Sequence, residues 1–308
     1  MTDLSVIIPA RNEIFLQRTI EDILQNIEAD TEIIAILDGY WPVPSLPDHE
    51  KVTIVHHTTP IGQRSATNEG ARISRAKYIM KCDAHCAFGK GFDRILIEDC
   101  EHNWTIIPAM WNLHAFDWEC ENCGNRTYQG VQPIHCKKCQ GKNFKKLIIW
   151  QPRGNKITYS WRFDRNMQFQ YWRKHVKRKE CQGELIETMS FIGACFLMPR
   201  RFFRRIGGLD EKHGSWGQFG TEIACKTWLS GGKLITSKKT WFAHMFRTGN
   251  FRGSGYNGSS FPYPLSGQSQ ERAKAYSRDL WLNDRWPKAK YPLSWLVDKF
   301  KPVPDWHD

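Results

Sequence analysis

The chain has 308 residues, 41% of them apolar, and a formal net charge of +12, which suits an enzyme-sized core and excludes a disordered binder. No apolar run reaches the roughly eighteen residues of a membrane span, and the run at residues 4–8 is too short for a secretion signal. Ten cysteines without such a signal point to a reducing compartment, so the expected location is the cytoplasm, or the host cytoplasm if the source is viral.

In chain order, apolar runs alternate with amphipathic segments. Residues 4–9 read as a strand, 15–26 as a helix, 32–37 and 52–56 as strands, 65–76 as a helix and 77–82 as a fourth strand. This alternation predicts an α/β fold with a mostly parallel central sheet. The fourth strand ends on Asp83-Ala84-His85. Ligands of open α/β sheets bind beyond the carboxyl ends of the strands, where a carboxylate and an imidazole two residues apart can hold a divalent ion and, through it, a diphosphate. Taken alone, the same pair also fits a turn-capping Asp and a surface His.

Residues 92–99 read as a helix and 105–110 as a strand, broken near Asp117 by Cys120-Glu-Asn-Cys123, twelve further residues and Cys136-Lys-Lys-Cys139. Two such knuckles fit a four-thiolate zinc ribbon, whose ion replaces the core that so short an insert cannot build. Four cysteines leave no open position for catalysis, and His135 is surplus. No Asp or Glu occurs between Asn122 and Arg162, whereas Arg126, Lys137, Lys138, Lys142, Lys145, Lys146, Arg153 and Lys156 all do. Trp150, Tyr159, Trp161, Phe163, Tyr171 and Trp172 are interleaved with basic residues, a composition suited to nucleic acid.

Further on, residues 147–150 follow the ribbon, 190–198 read as a strand, 200–206 and 221–230 as helices, and 233–235 and 240–245 as strands. Residues 247–268, rich in Gly, Ser and Asn, read as a loop or lid. Trp281, Trp286 and Trp295 are expected to dock the tail on the body.

These motifs carry a resemblance. Val6-Ile7-Ile8-Pro9-Ala10-Arg11-Asn12-Glu13 and Gly62-Gln-Arg-Ser-Ala-Thr-Asn-Glu-Gly70 resemble family 2 glycosyltransferases. Asp83-Ala84-His85-Cys86, the run from Trp216 through Glu222, Trp228 and Gly232, and His244-Met245-Phe246-Arg247 resemble polypeptide N-acetylgalactosaminyltransferases. The resemblance covers about residues 3–110 and 190–250 and implies a GT-A fold using a nucleotide-sugar donor, a UDP-sugar. It implies that Asp83, His85 and His244 hold manganese or magnesium, that Asp38 reads the nucleotide base beside Pro9 and Ala10, and that Arg64 and Arg247 lie near the donor. Where both families carry an acidic pair, this chain has Phe219 and Gly220. Glu222, with Asp210 behind it, is then the expected group for activating or positioning the acceptor.

The expected organisation is a nucleotide-sugar half at 1–116, a zinc-ribbon insertion at 117–146, an acceptor half at 147–250, and a loop and tail at 251–308. The expected reaction is sugar transfer to a hydroxyl, with a hydroxymethylated base in DNA as acceptor, as in bacteriophage DNA modification. The alternatives are a protein or cell-surface glycan acceptor, and a zinc-ribbon nucleic-acid-binding protein with a decayed transferase core.

Overall fold

The computed structural model describes residues 2–43, 45–214, 216–247 and 267–306. Strands β1 (Leu4–Ala10), β2 (Thr31–Asp38), β3 (Val52–His57) and β4 (Tyr78–Cys82) run parallel in the order β4-β1-β2-β3. Helices α1 (Leu16–Asn26) and α2 (Gln63–Ile73) form two of the crossovers. Strands β1 and β4 read as nearly continuous apolar runs because both faces of this sheet are covered.

Beyond β4 the chain adds β5 (Cys86–Phe88), α3 (Phe92–Asp99), and a long hairpin of β6 (Trp104–Cys120) and β8 (Phe144–Thr158), with β7 (Arg126–Tyr128) near its tip. A separate ribbon pairs β9 (Trp161–Phe163) with β10 (Phe169–Tyr171). There follow β11 (Leu185–Glu187), β12 (Cys195–Pro199), α4 (Arg200–Arg205), α5 (Phe219–Leu229), β13 (Lys233–His244), α6 (Gly267–Leu282) and α7 (Leu293–Lys299). Strand β12 lies antiparallel between β4 and β6, and β13 runs parallel to β6. The sheet is therefore parallel in its first half and mixed in its second.

Two sequence expectations change length for definable reasons. The strand expected to stop at residue 110 runs on to Cys120, because β6 pairs with β13 as far as Asn112 and with β8 from Met110 outward. It changes partner instead of ending. The cysteines thus sit at the tip of a hairpin rooted in the main sheet. The two strands expected at 233–235 and 240–245 are one, β13, with a bulge between Ser237 and Trp241 that absorbs the polar Lys238 and Lys239.

Trp281 and Trp286 are buried, as expected for a docked tail, but they belong to and follow a helix, α6, that the sequence reading took for tail. Residues 248–266 of the expected loop or lid lie outside the described residues. Among the described residues no helix is long and apolar enough to cross a membrane.

Candidate active site

Asp83 and His85 occupy the turn between β4 and β5. Strand β5 pairs with β13 so that Cys86 lies opposite His244, which carries that distant histidine to the turn. His244 Nε2 is 3.1 Å from Asp83 Oδ2 and 3.1 Å from His85 Nε2, and candidate ligand atoms of the three residues all lie within 4.8 Å of one another. On the far side of its ring, His85 Nδ1 faces Glu13 Oε2 at 2.9 Å. Donation of Nδ1–H to that carboxylate leaves the Nε2 lone pair aimed at Asp83 and His244.

Burial pushes the His244 imidazole down to about 4 against the opposing pull of Asp83, so it is neutral near pH 7. Burial would raise the Asp83 carboxyl, but Lys81, His244 and His85 hold it well below the usual carboxylate range. One carboxylate and two imidazoles with converging donor atoms fit a divalent transition ion such as manganese.

The remaining lone pairs of Asp83 are also engaged. Lys81, buried within β4, donates to Asp83 Oδ1 and, at 3.0 Å, to Gly193 O. Gln63 Nε2 donates to the same Asp83 oxygen at 3.1 Å. The ammonium of Lys81 lies 4.7 Å from the Phe219 ring centroid. Beside it, the backbone explains why an acid is missing at the next position. A Cβ on Gly220 would sit 2.1 Å from Phe191 O, so the start of α5 can approach the 191–193 turn only as glycine.

The next residue of α2 serves a different cluster. Arg64, 1% exposed, donates from Nε to Glu222 Oε2 at 2.8 Å, from Nη1 to Gly214 O at 3.0 Å and from Nη2 to Gly217 O at 2.6 Å. Glu222 is fully buried. It also accepts from Lys226 Nζ at 2.7 Å and from Asp210 N–H at 2.5 Å. Asp210 is half-buried, and its carboxylate accepts from Lys212 N–H at 3.0 Å and from Tyr276 Oη at 2.7 Å. Asp38, at the end of β2, accepts from the backbone N–H groups of Ile61 and Gly62 at 2.5 to 3.2 Å and so fixes the start of α2.

Of the residues singled out in the sequence, the structure brings Asp83, His85 and His244 together. Arg247 joins them through an ion pair with Glu13. Pro9 and Ala10 close β1 beside Ile36 and Leu37 of β2. Arg64, Glu222 and Asp210 form their own network, and Asp38 serves the backbone of α2. Sequence reasoning missed Glu13, Lys81 and Gln63. A lysine inside an otherwise apolar strand was the available signal for Lys81.

Residues 5–118 match the family model described as Glycosyl transferase family 2. Polypeptide N-acetylgalactosaminyltransferase 3 of Mus musculus is 23% identical over 300 residues, 91% of this chain and 41% of the relative. Polypeptide N-acetylgalactosaminyltransferase 6 of Bos taurus is 25% identical over 256 residues, 79% of this chain and 37% of the relative. The chain therefore spans about two fifths of the length of these relatives. A crystal structure of GalNAc-T7 with UDP, GalNAc and Mn2+ superposes with a TM-score of 0.62 at 18% identity, covering 91% of this chain and 48% of that one. This is a GT-A glycosyltransferase fold.

The hairpin projects from the GT-A sheet and is docked on it. Phe116 of β6 stacks on Phe15 at 5.6 Å, and Trp150 Nε1 donates to Asp22 Oδ2 at 3.1 Å. At the tip, the Sγ atoms of Cys120 and Cys139 are 3.6 Å apart and those of Cys123 and Cys136 are 3.7 Å apart. A tetrahedron with zinc–sulfur bonds of about 2.3 Å has edges of about 3.8 Å, so the thiols are already spaced for one four-coordinate ion. The aromatic series read as a base-stacking surface is largely core. Trp150, Trp161, Phe163 and Trp172 are buried by packing, and Tyr171, 45% exposed, is the clear exception.

Proposed function

We propose that this protein transfers a sugar from a nucleotide-diphosphate sugar, a UDP-sugar, to a hydroxyl acceptor with a manganese ion held by Asp83, His85 and His244. The convergence of those three side chains beyond the end of β4 carries the proposal. A divalent ion bound there neutralises the charge that develops on the diphosphate as the sugar departs. Glu13 orients His85, Lys81 and Gln63 orient Asp83, and Arg247 stands beside them for the donor. Pro9 and Ala10, with the end of β2 at Asp38, form the nucleotide side of the site. The neighbouring structure, described with UDP and Mn2+, supports the donor half of this reading.

On the acceptor side, we assign Glu222 to holding the turn through Gly214 and Gly217 in place by way of Arg64, since all its close partners are internal. Asp210, the half-buried carboxylate of the same network, is the residue assigned to orient the acceptor hydroxyl. The four cysteines are assigned one structural zinc.

DNA bearing a hydroxymethylated base is the acceptor favoured by the hairpin, where Lys137, Lys138, Lys142, Lys145, Arg153 and Lys156 are exposed. A polypeptide hydroxyl is the second reading, favoured by the names of the relatives. Incubation of the protein with manganese, radiolabelled UDP-sugars and either hydroxymethylated duplex DNA or Ser/Thr-rich peptides tests both. Label on DNA or on peptide selects the acceptor. Absence of UDP release with any sugar, together with no binding of UDP, would remove the reading altogether.

A further inference from the structure

The most exposed large apolar side chains among the described residues are Val43, Ile14 and Trp41, at 95%, 63% and 54%. All three lie in the turns that leave the carboxyl ends of β1 and β2, adjacent strands of the parallel sheet. Single exposed apolar residues are ordinary, whereas three in neighbouring turns at the ligand-binding end of an open sheet mark a binding surface.

The Trp41 side of this surface is firmly built. Strands β2 and β3 stay paired to their last residues, Asp38 opposite His57, and Gly39 N–H then donates to His57 O at 3.1 Å. Gly39 has a φ of 78°, and a Cβ there would lie 2.4 Å from Pro60 Cγ, so only glycine lets the chain turn beneath that proline. Two residues on, the Trp41 ring meets the exposed His56 imidazole, with centroids 5.2 Å apart and an interplanar angle of 76°. This perpendicular contact braces the indole, and more than half of the residue stays exposed. Asp38 is turned to another task, for it is buried and its oxygens accept from Ile61 and Gly62 N–H.

We propose that Trp41, braced by His56, is the platform on which the nucleobase of the donor stacks. The proposal rests on the sugar-transfer reading, in which the donor diphosphate lies at Asp83, His85 and His244. The sheet order β4-β1-β2 sets the end of β2 two strand spacings, about 10 Å, from the end of β4. An extended nucleoside diphosphate bridges that separation, with its phosphates at the triad and its base at Trp41. Every base has a π-face, and an exposed indole covers one with a large, rigid surface. The base is thereby held by its face, in place of the edge contact expected of Asp38, which holds the turn.

The test compares wild type, Trp41→Ala and Trp41→Phe in calorimetric titrations of UDP and of inorganic pyrophosphate, each with manganese. Pyrophosphate offers the phosphoryl oxygens without a base. Trp41→Ala is expected to weaken UDP about ten- to a hundredfold, as for loss of one base–aromatic stack, and to leave pyrophosphate unchanged. Trp41→Phe, which keeps an aromatic face, is expected to recover part of that loss, and no recovery would overturn stacking. Unchanged UDP affinity in Trp41→Ala overturns the platform. Equal weakening of UDP and pyrophosphate also overturns it, because Trp41 would then support the site as a whole. A wild type that binds pyrophosphate as tightly as UDP gives the base no share in binding, which overturns the platform while the metal site stands. A wild type that binds neither ligand overturns the donor reading and the platform with it.

Discussion

Glu13 Oε2 stands 2.9 Å from Nδ1 of His85, across 72 residues of chain, so a carboxylate from the turn after β1 sets the ring orientation of a residue in the turn after β4. A carboxylate behind a metal-binding imidazole fixes its tautomer and raises its basicity, and loss of such a partner weakens metal binding about 10- to 100-fold. Glu13→Ala is therefore expected to weaken manganese binding by that factor, measured by electron paramagnetic resonance titration. Equal affinity in variant and wild type would contradict this role for Glu13.

The Arg64–Glu222 pair leads to a prediction about stability. Glu222 is fully buried and its carboxylate meets Arg64, Lys226 and the backbone of Asp210. Removing one partner of a buried pair strands the other charges and costs about 3–5 kcal/mol. Glu222→Ala should lower unfolding stability by that amount in urea denaturation. Unchanged stability with abolished turnover would instead make Glu222 a group that meets the acceptor.

Much of the first half was legible because its elements are short-range and periodic. Residues 92–99 form a helix over the expected span, and β1, β2 and β3 lie within one residue of expectation at each end. Asp83 and His85 were legible as a candidate cation pair from their place at a strand end, whereas His244 was legible only through motif resemblance, since nothing local to it says that β13 will pair with β5. Glu13 was in plain view within a quoted motif, but its partner lies in another turn. Glu222 illustrates the opposite difficulty. A carboxylate in the first turn of a helix can face solvent, substrate or an internal cation, and the choice made here depends on Arg64, 158 positions away.

The thiol cluster predicts one zinc per chain. Released metal, measured with a chromogenic chelator after thiol modification, should approach one equivalent, and Cys123→Ser should lower both the zinc content and the melting temperature. The far-UV spectrum should change little, because Phe116 and Trp150 anchor the base of the hairpin to the main body. Full retention of melting temperature after zinc removal would contradict a structural ion.

Hairpin docking also has a pH signature. Burial raises the Asp22 carboxyl to about 6, against hydrogen bonds from Phe88 N–H and Trp150 Nε1. With an unfolded value near 3.8, the native state binds more protons between these values. The contribution of Asp22 to stability therefore falls as pH rises from about 4 to about 6 and is flat above. Asp22→Asn should remove that slope, so the stability difference between wild type and variant should change over this interval in denaturant titrations. A constant difference from pH 4 to pH 7 would contradict the buried, raised carboxyl.

Calorimetric titration of UDP into the manganese-loaded protein, for wild type and Asp83→Asn, tests the donor site most directly. Saturable binding that requires manganese and is lost on removing the Asp83 charge is the predicted result. Binding that is indifferent to manganese or to Asp83, or no binding of UDP at all, would contradict a metal-dependent nucleotide-sugar site at the end of β4.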